Sequence, residues 1–105
     1  LHVIPGPQYD ADLVAALCER PLRIEQSDRM GARLSPVAAQ GSGVTSEGNP
    51  LGAVQLTGSG HPIILLNDRG TMGGYMKPAI VVPRDLARLA QAQDGGWVRF
   101  VRVQR

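Results

Sequence analysis

The sequence predicts a mainly β fold with two short helices, curled into a small β-barrel. Three observations carry this. Thirteen glycines and 8 prolines punctuate 105 residues, so regular segments are short, as in chains that turn often. Several runs are apolar, or alternate apolar with polar, over four to seven positions. Two segments instead place apolar residues at helical spacing.

In chain order, His2 to Ile4 is a strand stopped by Pro5-Gly6-Pro7. Asp10 is a helix N-cap before Leu13, Ala16 and Leu17, which fall at i, i+3 and i+4. Pro21 ends that helix. Leu22 to Glu25 and Ala32 to Leu34 are short strands around Ser27-Asp28-Arg29-Met30-Gly31. Residues 37–49 are small and polar, and are expected to form a mobile loop because they bury too little to order themselves. Ala53 to Thr57 alternates: Val54 and Leu56 face one side, Ala53, Gln55 and Thr57 the other. After a turn at Gly58 to Gly60, Ile63 to Leu66 is apolar without alternation, as a strand covered on both faces would be.

A polar, glycine-dense loop then runs from Asn67 to Lys77, followed by a strand from Ala79 to Val82. Pro83 opens the second helix, with Asp85 in the first turn where the helix dipole favours negative charge. Its apolar stripe is Leu86, Leu89 and Ala90. Asp94-Gly95-Gly96 turns the chain into a last strand, Trp97 to Val103. The count is six or seven strands, with the helices covering the open ends of the barrel.

Composition narrows the function. A chain of 105 residues is a single domain, residues 1–105, with one core. It has no apolar run near the ~20 residues of a membrane span and no secretory leader pattern, so a cytoplasmic protein with no membrane partner is expected. It starts at Leu1 directly in a strand, as a piece of a longer subunit would. Net charge is +2, and the closest approach to a basic cluster, Arg99, Arg102 and Arg105, alternates with apolar residues. Four scattered aromatics and no dense basic patch argue against nucleic acid. Cys18 is the sole cysteine; it forms no internal disulfide and reads as a small apolar residue. Cys-x-x-Cys and His-x-x-x-His metal pairs, a phosphate-binding P-loop and a Gly-x-Ser-x-Gly elbow are all absent from the sequence.

The first candidate site is the loop Asn67 to Lys77, held at the end of a strand. Gly73 and Gly74 permit close approach of a ligand to backbone N–H groups. Thr71, Tyr75 and Lys77 add a hydroxyl, a phenol and a positive charge, and Asn67 opens the loop with an amide. Donors of this kind stabilise an oxyanion on a carbonyl beside nitrogen. Arg29 is the second candidate, able to hold an anionic group by paired hydrogen bonds, against a plain turn capped by Ser27 or Asp28. Gln55 faces either solvent or the barrel interior; inside, its amide would read a urea-like or lactam group by donating and accepting at once. His61 reads as a turn histidine, and Glu47 would serve as a base only if its loop folded over a pocket.

The segments "VIPGPQ", "SDRMGARL", "SEGNPLG", "GAVQLTGSGHPIILLNDRGTMGGY" and "VPRDLARLAQAQDGGWVRF" occur in one order over nearly the whole chain. Together they resemble the C-terminal half of a family that comprises allophanate hydrolase subunit 2, the C subunit of 5-oxoprolinase and the urea carboxylase carboxyltransferase. The resemblance implies a cyclophilin-like small β-barrel, the C-terminal barrel of a longer subunit that works with a first subunit. It implies action on small amide, urea or lactam compounds: ATP-dependent opening of 5-oxoproline, or biotin-dependent carboxyl transfer to urea. No cofactor is then expected on this piece itself; ATP would belong to a partner subunit and carboxybiotin to a carrier domain. The piece alone would be inactive, its site completed by a second barrel and the partner.

The family's Thr-Gly-Gly-Tyr segment falls on Thr71, Gly73, Gly74 and Tyr75. The sequence departs from the family pattern at Gly70, Met72 and Met76, and at Ala32, where relatives carry an aromatic. The alternative the resemblance implies is a non-catalytic regulator that binds a kinase inhibitor, using an apolar patch near Trp97 and Phe100. A prolyl isomerase, implied only by the barrel type, lacks the aromatics for a proline pocket.

Overall fold

A computed structural model describes residues 1–92 and 94–103, without the side chain of Ala90. The expected burial of Ala90 and the position of Arg105 lie outside the described residues. The order of elements is β1 (His2–Pro5), α1 (Ala11–Cys18), β2 (Leu22–Ser27), β3 (Gly31–Leu34), β4 (Gly43–Gly48), β5 (Ala53–Leu56), β6 (Pro62–Leu65), β7 (Met72–Val81), α2 (Pro83–Ala90), β8 (Trp97–Val98) and β9 (Val101–Arg102).

Hydrogen bonding runs β8-β2-β3-β6-β5-β7-β1-β9 across one curled sheet. Its pairs are antiparallel except β1 with β9, where His2 lies beside Val101. The two ends of this path, β8 and β9, are separated in sequence by only Arg99 and Phe100. A flat sheet of this order would hold its edges far apart, so the short link requires the sheet to curl until they meet. Phe100, 1% exposed, sits in the core at that junction. The single final strand expected from Trp97 to Val103 is therefore two short strands serving opposite edges.

The interior is filled from both sheet and helices, with Val3, Ile24, Leu34, Val54, Ile64 and Val81 buried together. Asp10 caps α1 as expected, its Oδ1 accepting from the N–H groups of Asp12 at 2.9 Å and Leu13 at 3.1 Å. The buried stripe of α1 is Val14 and Leu17, with Leu13 and Ala16 half-buried at its margins. In α2, Leu89 is buried and Leu86 packs at the edge of the core. Asp85 is buried too, accepting from the backbone N–H of His2 at 2.6 Å and lying 2.9 Å from His2 Nδ1. No described helix is long and apolar enough to cross a membrane.

β7 is the element that positions the site. Its C-terminal half pairs with β5 (Leu56 opposite Met76, Val54 opposite Ala79) and with β1. Its N-terminal half leaves the barrel and pairs with β4, Gly48 opposite Met72 and Gly43 opposite Tyr75. Two expectations are corrected here. The stretch 37–49 is not a loop throughout, because Gly43–Gly48 is strand β4; its ladder uses backbone groups and needs no apolar side chains, so composition did not reveal it. The glycine-dense loop ends at Thr71, and Gly73, Gly74, Tyr75 and Lys77 all lie within β7.

Candidate functional site

The start of β7, with Asn49 and the turn at Arg69-Gly70, faces residues of β2, β3, β5 and β6 across an open cavity of about 470 Å³. Four of the residues expected to form a site meet there: Gln55, Gly73, Gly74 and Tyr75. Gln55 is 8% exposed, so its amide faces the cavity and not bulk solvent. Tyr75 is half exposed at the rim. The Gly-Gly pair acts through space as well as conformation: a methyl carbon built on Gly73 would lie 2.9 Å from Asn49 Nδ2 and 3.2 Å from Gln55 Nε2. The side-chain amides approach the strand backbone because nothing projects from it.

The other four are elsewhere. Thr71 does not line the cavity; its carbonyl accepts the N–H of Asn49 at 3.0 Å and so ties the arm of β4 and β7 together. Lys77 is fully buried, its Nζ donating to the Tyr75 carbonyl at 3.1 Å and lying 3.0 Å from Glu47 Oε1. Arg29 and Asn67 line a separate groove of about 540 Å³ beside α2. Arg29 there pairs with Asp68 at 3.0 Å, in the open. Asp28 caps its turn, Oδ1 accepting from Met30 at 2.8 Å and Gly31 at 3.1 Å, which is the plain-turn reading of this segment.

Polar residues of the cavity that were not singled out from sequence include Asn49, Arg69 and Arg33. Arg69 is locked by its neighbours, Nε donating to the Asn49 carbonyl at 2.7 Å and a terminal nitrogen to the Leu66 carbonyl at 3.3 Å. Arg33 Nε lies 3.5 Å from Glu25. Asn49 stands in the segment "SEGNPLG", and a polar residue before Pro-Leu-Gly at a strand end is the signal that would have found it. Arg69, and Arg33 paired with Glu25, face the cavity beside the Asp28 carboxylate.

The remaining titratable groups are structural. Glu47 is on β4, not in a loop; a hydrogen bond from Gln8 Nε2 at 2.6 Å, then the Lys77 ammonium, hold its carboxyl below the usual value. Asp85 is likewise lowered, first by the His2 backbone N–H and then by the His2 ring. Burial pushes the Cys18 thiol up, away from the reactive thiolate. His61 Nδ1 is 3.0 Å from the Leu34 carbonyl and 3.3 Å from Glu25 Oε1, a carboxylate the sequence did not place beside it. Among the described residues no three His, Cys, Asp or Glu cluster as metal ligands. Phe100 is buried and takes no part in the apolar patch expected near Trp97 and Phe100, whereas Trp97, 67% exposed, and Val101, 45% exposed, lie at the surface. The cavity is thus equipped to bind and polarise a small polar group, with amides, guanidinium groups and a phenol.

Residues 1–102 match the family described as carboxyltransferase domain, subdomain A and B. The chain is 34% identical to the 5-oxoprolinase C subunit of Escherichia coli (strain K12), over 96% of this chain and 35% of that protein. It is 41% identical to the 5-oxoprolinase C subunit of Haemophilus influenzae over 73% of this chain and 26% of that one. The chain therefore spans about a third or less of these relatives. The crystal structure of TTHA0988 superposes with a TM-score of 0.92 at 44% identity, covering 96% of this chain and 20% of that chain. The urea carboxylase of Kluyveromyces lactis shares the fold alone, with a TM-score of 0.83 at 22% identity over 99% of this chain and 11% of that one. With the family pattern covering nearly every residue and the curled sheet shared with these structures, the chain belongs to the carboxyltransferase domain family, subdomain A and B.

Proposed function

We propose that this chain is one barrel of a protein of the 5-oxoprolinase C-subunit type, and that its cavity binds a small lactam or urea-like compound carrying an anionic group. The observation that carries this reading is the cavity beside the start of β7, where the Gln55 amide faces the same space as the guanidinium groups of Arg33 and Arg69. An amide side chain matches the donor and acceptor edges of a lactam. Fixed guanidinium groups suit a carboxylate, such as that of 5-oxoproline. Tyr75 at the rim supplies a hydroxyl donor to the polarised carbonyl. Lys77, being buried, serves as a positioning residue that fixes Tyr75 through its carbonyl.

The rim also supports completion of the site by other chains. Met30, Met72 and Tyr75 are 58%, 59% and 50% exposed around the mouth, an apolar border that a second barrel or a first, allophanate hydrolase subunit 1-like partner would cover. ATP use would then reside in the partner, and a biotin carrier would approach the same mouth if the chemistry is carboxyl transfer. The test is ATP-dependent cleavage of 5-oxoproline by the full-length protein purified together with its first subunit. Gln55→Ala is expected to lower turnover by roughly 10²-fold, in line with loss of one preorganised donor. Turnover unchanged by Gln55→Ala and by Tyr75→Phe would remove the cavity as the site. An assembly with no turnover on 5-oxoproline would sink the lactam reading and leave carboxyl transfer to urea or a binding role.

A further inference from the structure

Four residues that line the cavity form one row across the sheet. Gln26 of β2 lies opposite Arg33 of β3, Arg33 opposite Ile63 of β6, and Ile63 opposite Gln55 of β5. Residues opposite one another in adjacent strands share a face, and Arg33 is the charged member of this row. What holds its guanidinium lies just outside the cavity. The ladder between β2 and β3 slips between Ile24 and Gln26, which leaves Glu25 as the extra residue of a bulge. A bulge re-aims a side chain. Here one oxygen, Glu25 Oε1, lies 3.5 Å from Arg33 Nε and 3.3 Å from His61 Nδ1.

That single oxygen serves two nitrogens, so the charge on His61 decides how much of it Arg33 keeps. His61 Nδ1 is also 3.0 Å from the Leu34 carbonyl. A carbonyl only accepts, so Nδ1 carries the proton in the neutral ring and a second proton enters at Nε2. Protonation charges the ring without breaking the Leu34 contact. The His61 side chain is 17% exposed, against 38% for Glu25 and 49% for Arg33, so the new charge arises at the least screened of the three. Around the ring, β2 brings Glu25 and β3 brings Arg33, while the turn after β5 brings the hydroxyls of Thr57 and Ser59. Arg23 stands two residues before Glu25 on the same exposed side of β2. Across the cavity, Arg33 faces Asp28 and Arg69.

We infer that Glu25 and His61 are positioning residues for Arg33, with protonation of His61 drawing the Glu25 carboxylate off the guanidinium and leaving the Arg33 charge to an anionic ligand in the cavity. Imidazole changes its charge between about pH 5 and 8, where an ordinary carboxylate stays ionised. The cavity therefore binds anions more tightly on the acid side of that range. The identity of the ligand rests on the function proposed above; the coupling of the three side chains does not. Because the contact between Glu25 and Arg33 is half exposed, the change in affinity is about two- to fivefold.

The test is nuclear magnetic resonance of the full-length protein, following the His61 ring and the Arg33 Nε–H between about pH 5.5 and pH 8.5. Binding of 5-oxoproline is measured at both ends of the range, with the uncharged lactam 2-pyrrolidinone as control. The Arg33 signal is expected to move with the His61 titration. 5-Oxoproline should bind about two- to fivefold tighter at the acid end, with 2-pyrrolidinone unchanged. His61→Asn, which keeps a donor for the Leu34 carbonyl, should freeze the Arg33 signal and fix 5-oxoproline binding at the weaker level. Glu25→Gln should fix it at the tighter level, a split that a loss of fold does not produce. An Arg33 signal that stays still while His61 titrates overturns the coupling, as does a pH dependence that survives in His61→Asn. Arg33 tracking His61 with no binding of 5-oxoproline at either end would uphold the coupling and sink the lactam reading. Binding of 5-oxoproline with one affinity throughout would do the reverse.

Discussion

Lys77 has none of its surface exposed, and its surroundings explain how that is tolerated. Its Nζ contacts the Tyr75 carbonyl and Glu47, while Gln8 binds both partners, donating to Glu47 and accepting from the Lys77 N–H at 2.8 Å. Removing Glu47 would strand a buried ammonium; removing the ammonium would leave a partly exposed carboxylate that water can reach. Glu47→Ala is therefore expected to lower Tm by more than Lys77→Met, measured by thermal unfolding. The reverse order would show that an unpaired buried ammonium is not the dominant cost at this contact.

Acid should reveal the same contact. Glu47 and Asp85 both have folded values depressed below the ordinary carboxylate value. Their contribution is complete only above about pH 5, clear of the unfolded values, and is lost as pH falls through the depressed folded values. Unfolding in urea at a series of pH values should show stability declining below pH ~5, with a shallower slope in the Glu47→Gln, Asp85→Asn double variant. The sequence showed the chemistry of Lys77 but not its place. Tyr75 and Lys77 are two apart and would share a face of a regular strand. Where β7 passes from β4 to β5 the pairing with β5 shifts register, and one residue ends half exposed while the other is buried.

At the scale of elements, the arm of β4 and β7 is expected to open before the barrel strands it leaves. A two-stranded ribbon is marginal by itself, and this one carries Gly43, Gly48, Gly73 and Gly74. What holds it is the Gln8–Glu47–Lys77 contact at one place and Asn49 at another. Hydrogen exchange should find the β4 amides opening well before those of β5, and Glu47→Ala should speed β4 exchange by about an order of magnitude with β5 unchanged. Equal effects on both strands would mean the arm opens only with the whole barrel.

The elements legible in the sequence were those that bury apolar side chains or carry a helix-start signal. β5 and β6 declared themselves by apolar pattern, α1 by its Asp10 cap and α2 by Pro83. β4 left no such trace, since its burial alternates little and its bonds are main chain. The candidate site was half legible for the same reason. Gln55 and Gly73 through Tyr75 stood out as residue types, whereas Asn49 and Arg69 matter through where β4 and the turn after β6 set them down.

For the whole molecule, closure rests on the two residues between β8 and β9. Phe100 fills the junction at 1% exposure, so Phe100→Ala is expected to cost about 3–5 kcal/mol, read from urea unfolding. Trp97, exposed in β8, should tolerate Ser with a change within about 0.5 kcal/mol. A small loss at Phe100 would mean that the backbone ladders close the sheet unaided.

The pairing of β8 with β2 and of β9 with β1 also has a temporal side. During synthesis β1 and β2 are made well before their partners, residues 97–102. A nascent chain carrying everything up to α2 still presents two open strand edges, which invite pairing with other chains. Closure of this barrel must therefore wait for residues 97–102, and a chain truncated just before Trp97 would be prone to aggregate.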